Sequence, residues 1–167
     1  MPSDRSAAGP TAPPSTAAPE QSPNRLPKAE FAFPGPLRDQ LVAAILRGEK
    51  ISTTGLVLDY EEEGEPVGKP GDRSLVVDSG DRPVAVIQTD SVEVRRLGDV
   101  DLRHAIDEGE GYETVAQWRE GHERFWRSYR PDLHIDDDLL LVLERFHVVS
   151  TEPTAGSTPA ADPGGPV

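Results

Sequence analysis

Two short stretches carry the residue types that could do chemistry. The first is HAIDEGEGYETVAQWREGHERFW, residues 104–126, which sets Asp107, Glu108 and Glu110 around two glycines, just ahead of a segment carrying Trp118, His122, Phe125 and Trp126. Clustered carboxylates repel one another and glycine weakens a helix, so something besides packing sets this composition. Glu108 and Glu110 fall in a glycine-flanked bend that another backbone can approach closely. The second stretch is GEKISTTG, residues 48–55, with Lys50 just past a helix end and Thr53 three residues on. A partly desolvated lysine has a lowered pKa and can serve as base or electrostatic clamp beside a hydroxyl nucleophile.

Each feature also has a plainer reading. Lys50 can simply complement a helix dipole, and the acidic bend can be a solvated turn. His122 shares a stripe with Trp118 and Phe125, where a histidine is more often packed than ligating. Asp136, Asp137 and Asp138 read as a solvated turn, with a metal or a helix cap as the lesser alternative, and Glu61 to Glu63 read the same way. The four histidines show no metal-ligand spacing, and neither G-x-S-x-G nor a phosphate-cradling glycine loop is present. No metal ligands are assigned and no cofactor is expected from the residues.

The elements that must position these residues follow from periodicity. GPLRDQLVAAILRGEK predicts a helix, with Leu37, Leu41 and Ile45 at four-residue spacing beside Val42 and Leu46. Pro36 suits its first position and Gly48 its stop. ISTTGLVLDY is ambiguous between strand and short helix, and EEEGEPVGKPGD reads as an exposed loop. RSLVVD and RPVAVIQTDSVEVRRL, separated by SGDR, predict a hairpin whose second arm is long enough to bend. A short aspartate-capped helix is expected from Asp99 to about Asp107, then a helix over ETVAQWREGHERFWRSY, then a strand over LLLVLERFHVVS. The order predicts an α+β domain with a small mixed β-barrel flanked by helices.

Composition bounds the rest. The chain has 167 residues. Residues 1–28 and 151–167 are rich in Pro, Ala, Ser and Gly and are expected to be disordered tails around a domain of residues 29–150. No run of about 18 apolar residues exists and the N-terminus lacks the apolar core of a secretory signal, so a cytoplasmic protein without a membrane span is expected. The absence of cysteine excludes disulfides, thiolate metal sites and a cysteine nucleophile. Net charge is −13, and residues 29–150 alone hold 14 Lys and Arg against 26 Asp and Glu. Tight sequence-independent binding to duplex needs a basic face to neutralise phosphates, and this balance argues against it. A small ligand or a short single strand fits better.

Taken in order, GEKISTTG, KPGDRSLVVD, RPVAVIQT, HAIDEGEG, WREGHERFW and LERFHVV resemble the ASCH domain family, related to the PUA fold, over about residues 30–149. The resemblance implies a small β-barrel with a cleft for RNA or a nucleoside. The family's G-x-K-x-x-T motif falls on Gly48, Lys50 and Thr53, and its catalytic acidic residue on Glu108. In members resembling small amidohydrolases such a Lys, Thr and Glu deacylate N(4)-acetylcytidine; other members are similar to metal-stimulated ribonucleases on single-stranded RNA, which leaves a divalent metal open. Gly55 replaces an arginine common in the family, and Tyr112 an aspartate. The resemblance also predicts that the EGEG bend presses on the GEK turn and brings Glu108 toward Lys50, with Trp118, Phe125 and Trp126 holding the bend in place.

Three readings follow. One is a hydrolase on an acylated cytidine or short single-stranded RNA, with Thr53 as nucleophile, Lys50 as base, Glu108 orienting Lys50, and Gly48, Glu110, Trp118 and His122 around the ligand. The second is a non-catalytic nucleotide- or RNA-binding module using the same cleft. The third is a protein-interaction domain with Pro-rich linkers.

Overall fold

The computed structural model describes residues 26–151. Ten elements follow one another, starting with strand β1 (Lys28–Ala29), helix α1 (Pro36–Leu46), strand β2 (Ser52–Leu56) and helix α2 (Val57–Glu63). Strands β3 (Arg73–Val77) and β4 (Pro83–Arg96) form the expected hairpin, and a 3-10 turn (Leu97–Asp99) leads to α3 (Leu102–Asp107), α4 (Val115–Tyr129) and β5 (Leu140–Ser150). The ambiguous ISTTGLVLDY is both things at once, a strand that passes directly into a helix. The short helix starts later than expected: Asp101 is its N-cap and accepts a hydrogen bond from the His104 amide. β1 takes in Lys28, the last residue of the expected N-terminal tail, and the Leu75 amide bonds to Pro27 O. Residues 1–25 and 152–167 lie outside the described residues.

The strands form one mixed sheet in the order β1-β3-β4-β5-β2, with β1 parallel to β3 and the other pairs antiparallel. The expected barrel is therefore not closed. Closure would require the two edge strands, β1 and β2, to pair, and a two-residue β1 has almost no edge to offer. Instead α1 covers that end, packing Leu41, Val42 and Ile45 with Phe31, Val76, Ile87 and Phe146. The stripe differs from the sequence expectation: Leu37 and Leu46 are exposed while Arg38 is buried. Its guanidinium reaches the carbonyls of Phe31 and Ala32, which satisfies a cation where a leucine was expected.

A second core lies on the other face of the sheet. Leu56, Leu141 and Leu143 pack there with Leu97, Val100, Ala105, Trp118 and Trp126. Because β2 pairs with β5 so that Thr54 faces Leu143 and Leu56 faces Leu141, Ser52, Thr54 and Leu56 line that face. Thr53 and Gly55 are turned away with Glu144. This parity decides which hydroxyl can reach α3. Trp118 and Trp126, eight residues apart on α4, both lie in this core, and truncating either should cost about 3–5 kcal/mol.

Candidate functional site

The site is assembled where three segments meet. The α1–β2 turn carries Lys50, the α3 C-terminus carries Glu108, and the middle of α4 carries His122. Gly109 makes the contact feasible. Its φ is +66°, and a Cβ there would lie 2.6 Å from Glu49 C, Glu49 O and Lys50 N, so the acidic bend presses on the lysine turn. The Ile51 amide donates to Asp107 O at 2.8 Å and clips the two segments together.

Lys50 is 2% exposed and Glu108 1%. The Lys50 ammonium donates to the carbonyls of Ser52 (3.0 Å) and Glu108 (3.3 Å) and lies 3.9 Å from Glu108 Oε2. It also sits 5.8 Å from the centre of the Phe31 ring. The carboxylate is surrounded by donors. Thr54 Oγ1 donates to Glu108 Oε1, and His104 Nε2 lies 2.7 Å from Thr54 Oγ1 and 3.1 Å from Glu108 Oε1. His122 Nε2 lies 3.0 Å from Glu108 Oε2.

The His122 ring is fixed at both ends. Nδ1 is 2.9 Å from Trp118 O, and since a carbonyl only accepts, Nδ1 carries a proton. The ring stacks on Trp118 with centroids 4.3 Å apart and planes at 28°. Burial pulls the His122 pKa down, but the charge and hydrogen bond of Glu108, with Glu110 behind them, outweigh it and the net shift is upward. Burial pushes Glu108 up; His122, the His104 hydrogen bond and Lys50 more than reverse this, and its pKa lies well below the carboxylate range. Glu110 moves the other way, raised first by burial and then by Glu108 against the opposing charge of Lys50. Tyr112, above the same acids, is pushed to about 12 by burial, Glu110 and Glu108. The set is therefore a buried carboxylate held between an ammonium and an imidazolium, with a second, half-buried carboxyl at its rim. Glu108, Glu110 and His122 present ligand atoms within 4.8 Å of one another, so among the described residues these three are the group able to hold a metal.

The residues expected from sequence fall into two groups. Lys50, Glu108, Glu110 and His122 come together, and His122 meets the carboxylate directly besides packing on Trp118. Thr53 does not join them, because the strand turns its side chain to the opposite face; the neighbouring Thr54 makes the contact. Gly48 ends α1 with φ +73° and is exposed, so it shapes the lysine turn instead of lining a cleft. Trp118 is fully buried and supports His122 from behind. Gly55, in place of the arginine, lies under Tyr60, whose ring would meet a Cβ at 3.0 Å. Tyr112 lies across Gly121, where a Cβ would come within 2.1 Å of its hydroxyl, which explains a glycine inside α4.

Two participants were not singled out from sequence. His104 and Glu108 are four apart, a spacing that puts both on one helix face, and Thr54 shares the parity of Ser52; both signals were legible. A further group was not. A cavity of about 130 Å³ beside His104 is lined in part by Arg95, Arg103 and Arg145, brought together from β4, α3 and β5. Arg145 pairs with Asp107, and Arg103 lies 3.6 Å from the same carboxylate. A larger cavity, about 670 Å³, is an apolar groove between α2 and the end of α4 and touches none of the buried charges.

The family model for the ASCH domain matches residues 30–150. The chain belongs to the ASCH domain family. Among solved structures it is similar to an ASCH domain from Lactobacillus crispatus JV V101, with 29% identity, 75% of this chain and 80% of that chain covered, and a TM-score of 0.68. A protein from Enterococcus faecalis V583 is similar at 30% identity, over 66% of this chain and 68% of that one, with a TM-score of 0.60. A search of curated proteins found no match. As an ASCH domain the chain has the PUA-like α+β architecture, and none of its described helices is long and apolar enough to cross a membrane.

Proposed function

We propose that this ASCH domain binds a modified nucleoside or a short single-stranded RNA beside Lys50 and Glu108 and hydrolyses an acyl group from a cytidine. One observation carries the reading: Glu108, almost wholly removed from water, is held by Lys50, His104, His122 and Thr54. Burying that much charge is rarely a route to stability, and such perturbed clusters gather at functional sites. In the reaction a threonine hydroxyl of β2 attacks the acyl carbon. Its proton passes to Glu108, whose low pKa makes it a transient holder, and on to the leaving amine; water then cleaves the acyl-enzyme. Thr54 is the hydroxyl in contact with Glu108, which favours it over the motif-matched Thr53. Lys50, buried and bonded to the Ser52 and Glu108 carbonyls, keeps Glu108 ionised and in place. Arg103 and Arg145 in the neighbouring cavity supply cations that Gly55 does not, which also suits a phosphate of short RNA.

A second reading, a binding module without chemistry, is favoured by one detail. The Lys50 ammonium is spent on two backbone carbonyls and is buried, which suits a structural charge better than a base. Turnover of N(4)-acetylcytidine, measured beside calorimetric binding of cytidine, separates the two. Thr54→Val should abolish turnover and leave most of the binding, and Thr53→Val should leave both. Stoichiometric binding without turnover selects the module, and neither binding nor turnover for acylated cytidine or short RNA would sink both readings.

A further inference from the structure

We propose that Glu108, Glu110 and His122 form a binding site for a first-row divalent cation, Zn²⁺ or Mn²⁺ in preference to Mg²⁺ or Ca²⁺. The inference stands apart from the hydrolase reading, since it needs only the geometry of these three side chains.

The decisive residue is His122. Its Nδ1–H is committed to Trp118 O, so the proton shared with Glu108 sits at Nε2, 3.0 Å from Oε2, and Nε2 is the nitrogen a metal ion can take in that proton's place. A nitrogen and a carboxylate oxygen this close need something positive between them, and a metal ion can stand there instead of the proton. An imidazole with one nitrogen donating to a backbone carbonyl is how ligating histidines are usually held. Stacking on Trp118 fixes the direction of that nitrogen.

The spacing fits a metal. With metal–ligand distances of about 2.1 Å, two ligand atoms at right angles stand about 3.0 Å apart, the separation seen between Nε2 and Oε2. Glu110 closes the set, with all three ligand atoms within 4.8 Å, and its half-exposed position gives an ion a route from solvent. The other oxygen of Glu108 is anchored by Thr54 and His104, the outer support that a ligating carboxylate normally has. One imidazole with two carboxylates selects the borderline metals, because Mg²⁺ and Ca²⁺ prefer all-oxygen surroundings. The Lys50 ammonium, 3.9 Å from Oε2, repels an incoming cation and weakens the site. That repulsion provides a signature no surface site would share.

Calorimetric titration of the full chain with Zn²⁺ and with Mn²⁺ tests the proposal. One saturable site is expected, at least tenfold weaker in Glu110→Gln and in His122→Ala, and tighter in Lys50→Met. Asp136→Asn should bind as the wild type does; it alters the exposed His134–Asp136 pair, the place where adventitious metal would collect. Bound metal should raise the melting temperature of the wild type and leave that of Glu110→Gln nearly unmoved. Because Glu110 sits at the rim, its variant keeps the test valid if His122→Ala fails to fold. No saturable binding up to millimolar metal, equal binding by Glu110→Gln and wild type, or loss of binding in Asp136→Asn would each overturn the proposal.

Discussion

At the scale of single residues, the buried charges set most of what can be measured. Lys50 was expected from sequence to be a base or clamp in a cleft, but with its ammonium bonded to two carbonyls beside Glu108 it is part of the interior. Lys50→Ala should therefore destabilise the domain by about 3 kcal/mol, by leaving two carbonyls and a carboxylate short of a partner. A urea melt showing a change under 1 kcal/mol would contradict this. Glu144 gives the opposite case on the far face of the sheet. Burial raises its pKa, Thr89 Oγ1 donating at 2.5 Å pulls it back, and Asp72 raises it again; the net direction is up. A carboxyl whose folded pKa is raised holds its proton more tightly when folded, so stability falls as pH rises from the ordinary carboxylate range through the folded pKa. Glu144→Gln should thus be more stable than wild type at pH 7, with the gain disappearing as pH falls below about 4. Melts at both pH values would show it, and an unchanged difference would refute it.

At the scale of elements, the contact between the acidic bend and the lysine turn depends on one backbone position. Gly109 combines a positive φ with a Cβ position 2.6 Å from the Glu49 and Lys50 backbone, and backbone cannot yield as a flexible side chain can. Gly109→Ala should cost more than the roughly 1 kcal/mol of a strained dihedral alone, and should separate Glu108 from Lys50. The readout is a joint loss of stability and of whichever ligand response the wild type shows. Gly111→Ala, which shares a positive φ but has open space around it, should cost only the dihedral term. If the two variants behave alike, close approach is not what Gly109 provides.

At the scale of the whole molecule, charge and tail composition make two further expectations. A core with 26 acidic and 14 basic side chains over residues 29–150 can neutralise few phosphates, so any RNA binding should be weak with a shallow salt dependence. Nanomolar affinity for long RNA that collapses between 50 and 200 mM salt, roughly the range over which many-contact binders lose it, would contradict that. The arginines beside His104 would be the first to mutate. Removing residues 1–25 and 152–167, which are poor in apolar side chains, should shift the melting temperature by only a few degrees, and a drop of tens of degrees would show that a terminal segment packs on the core.

What could be read in advance was local. Pro36 and Gly48 bracket α1, SGDR joins β3 to β4, and the EGEG and GEK stretches pointed to each other once the family resemblance was recognised, because turn chemistry and periodicity act over a few residues. Three matters were decided only by the tertiary structure. The choice of Thr54 over Thr53 rests on which face of β2 meets α3, which follows from cross-strand register with β5, ninety residues away in the chain by order of magnitude. The open sheet follows from a β1 too short to pair with β2 as well as with β3. His122, a packing residue by its stripe, became a partner of Glu108 because α4 crosses the α3 terminus at a distance no spacing encodes: periodicity selects a face, but only long-range packing determines what that face touches.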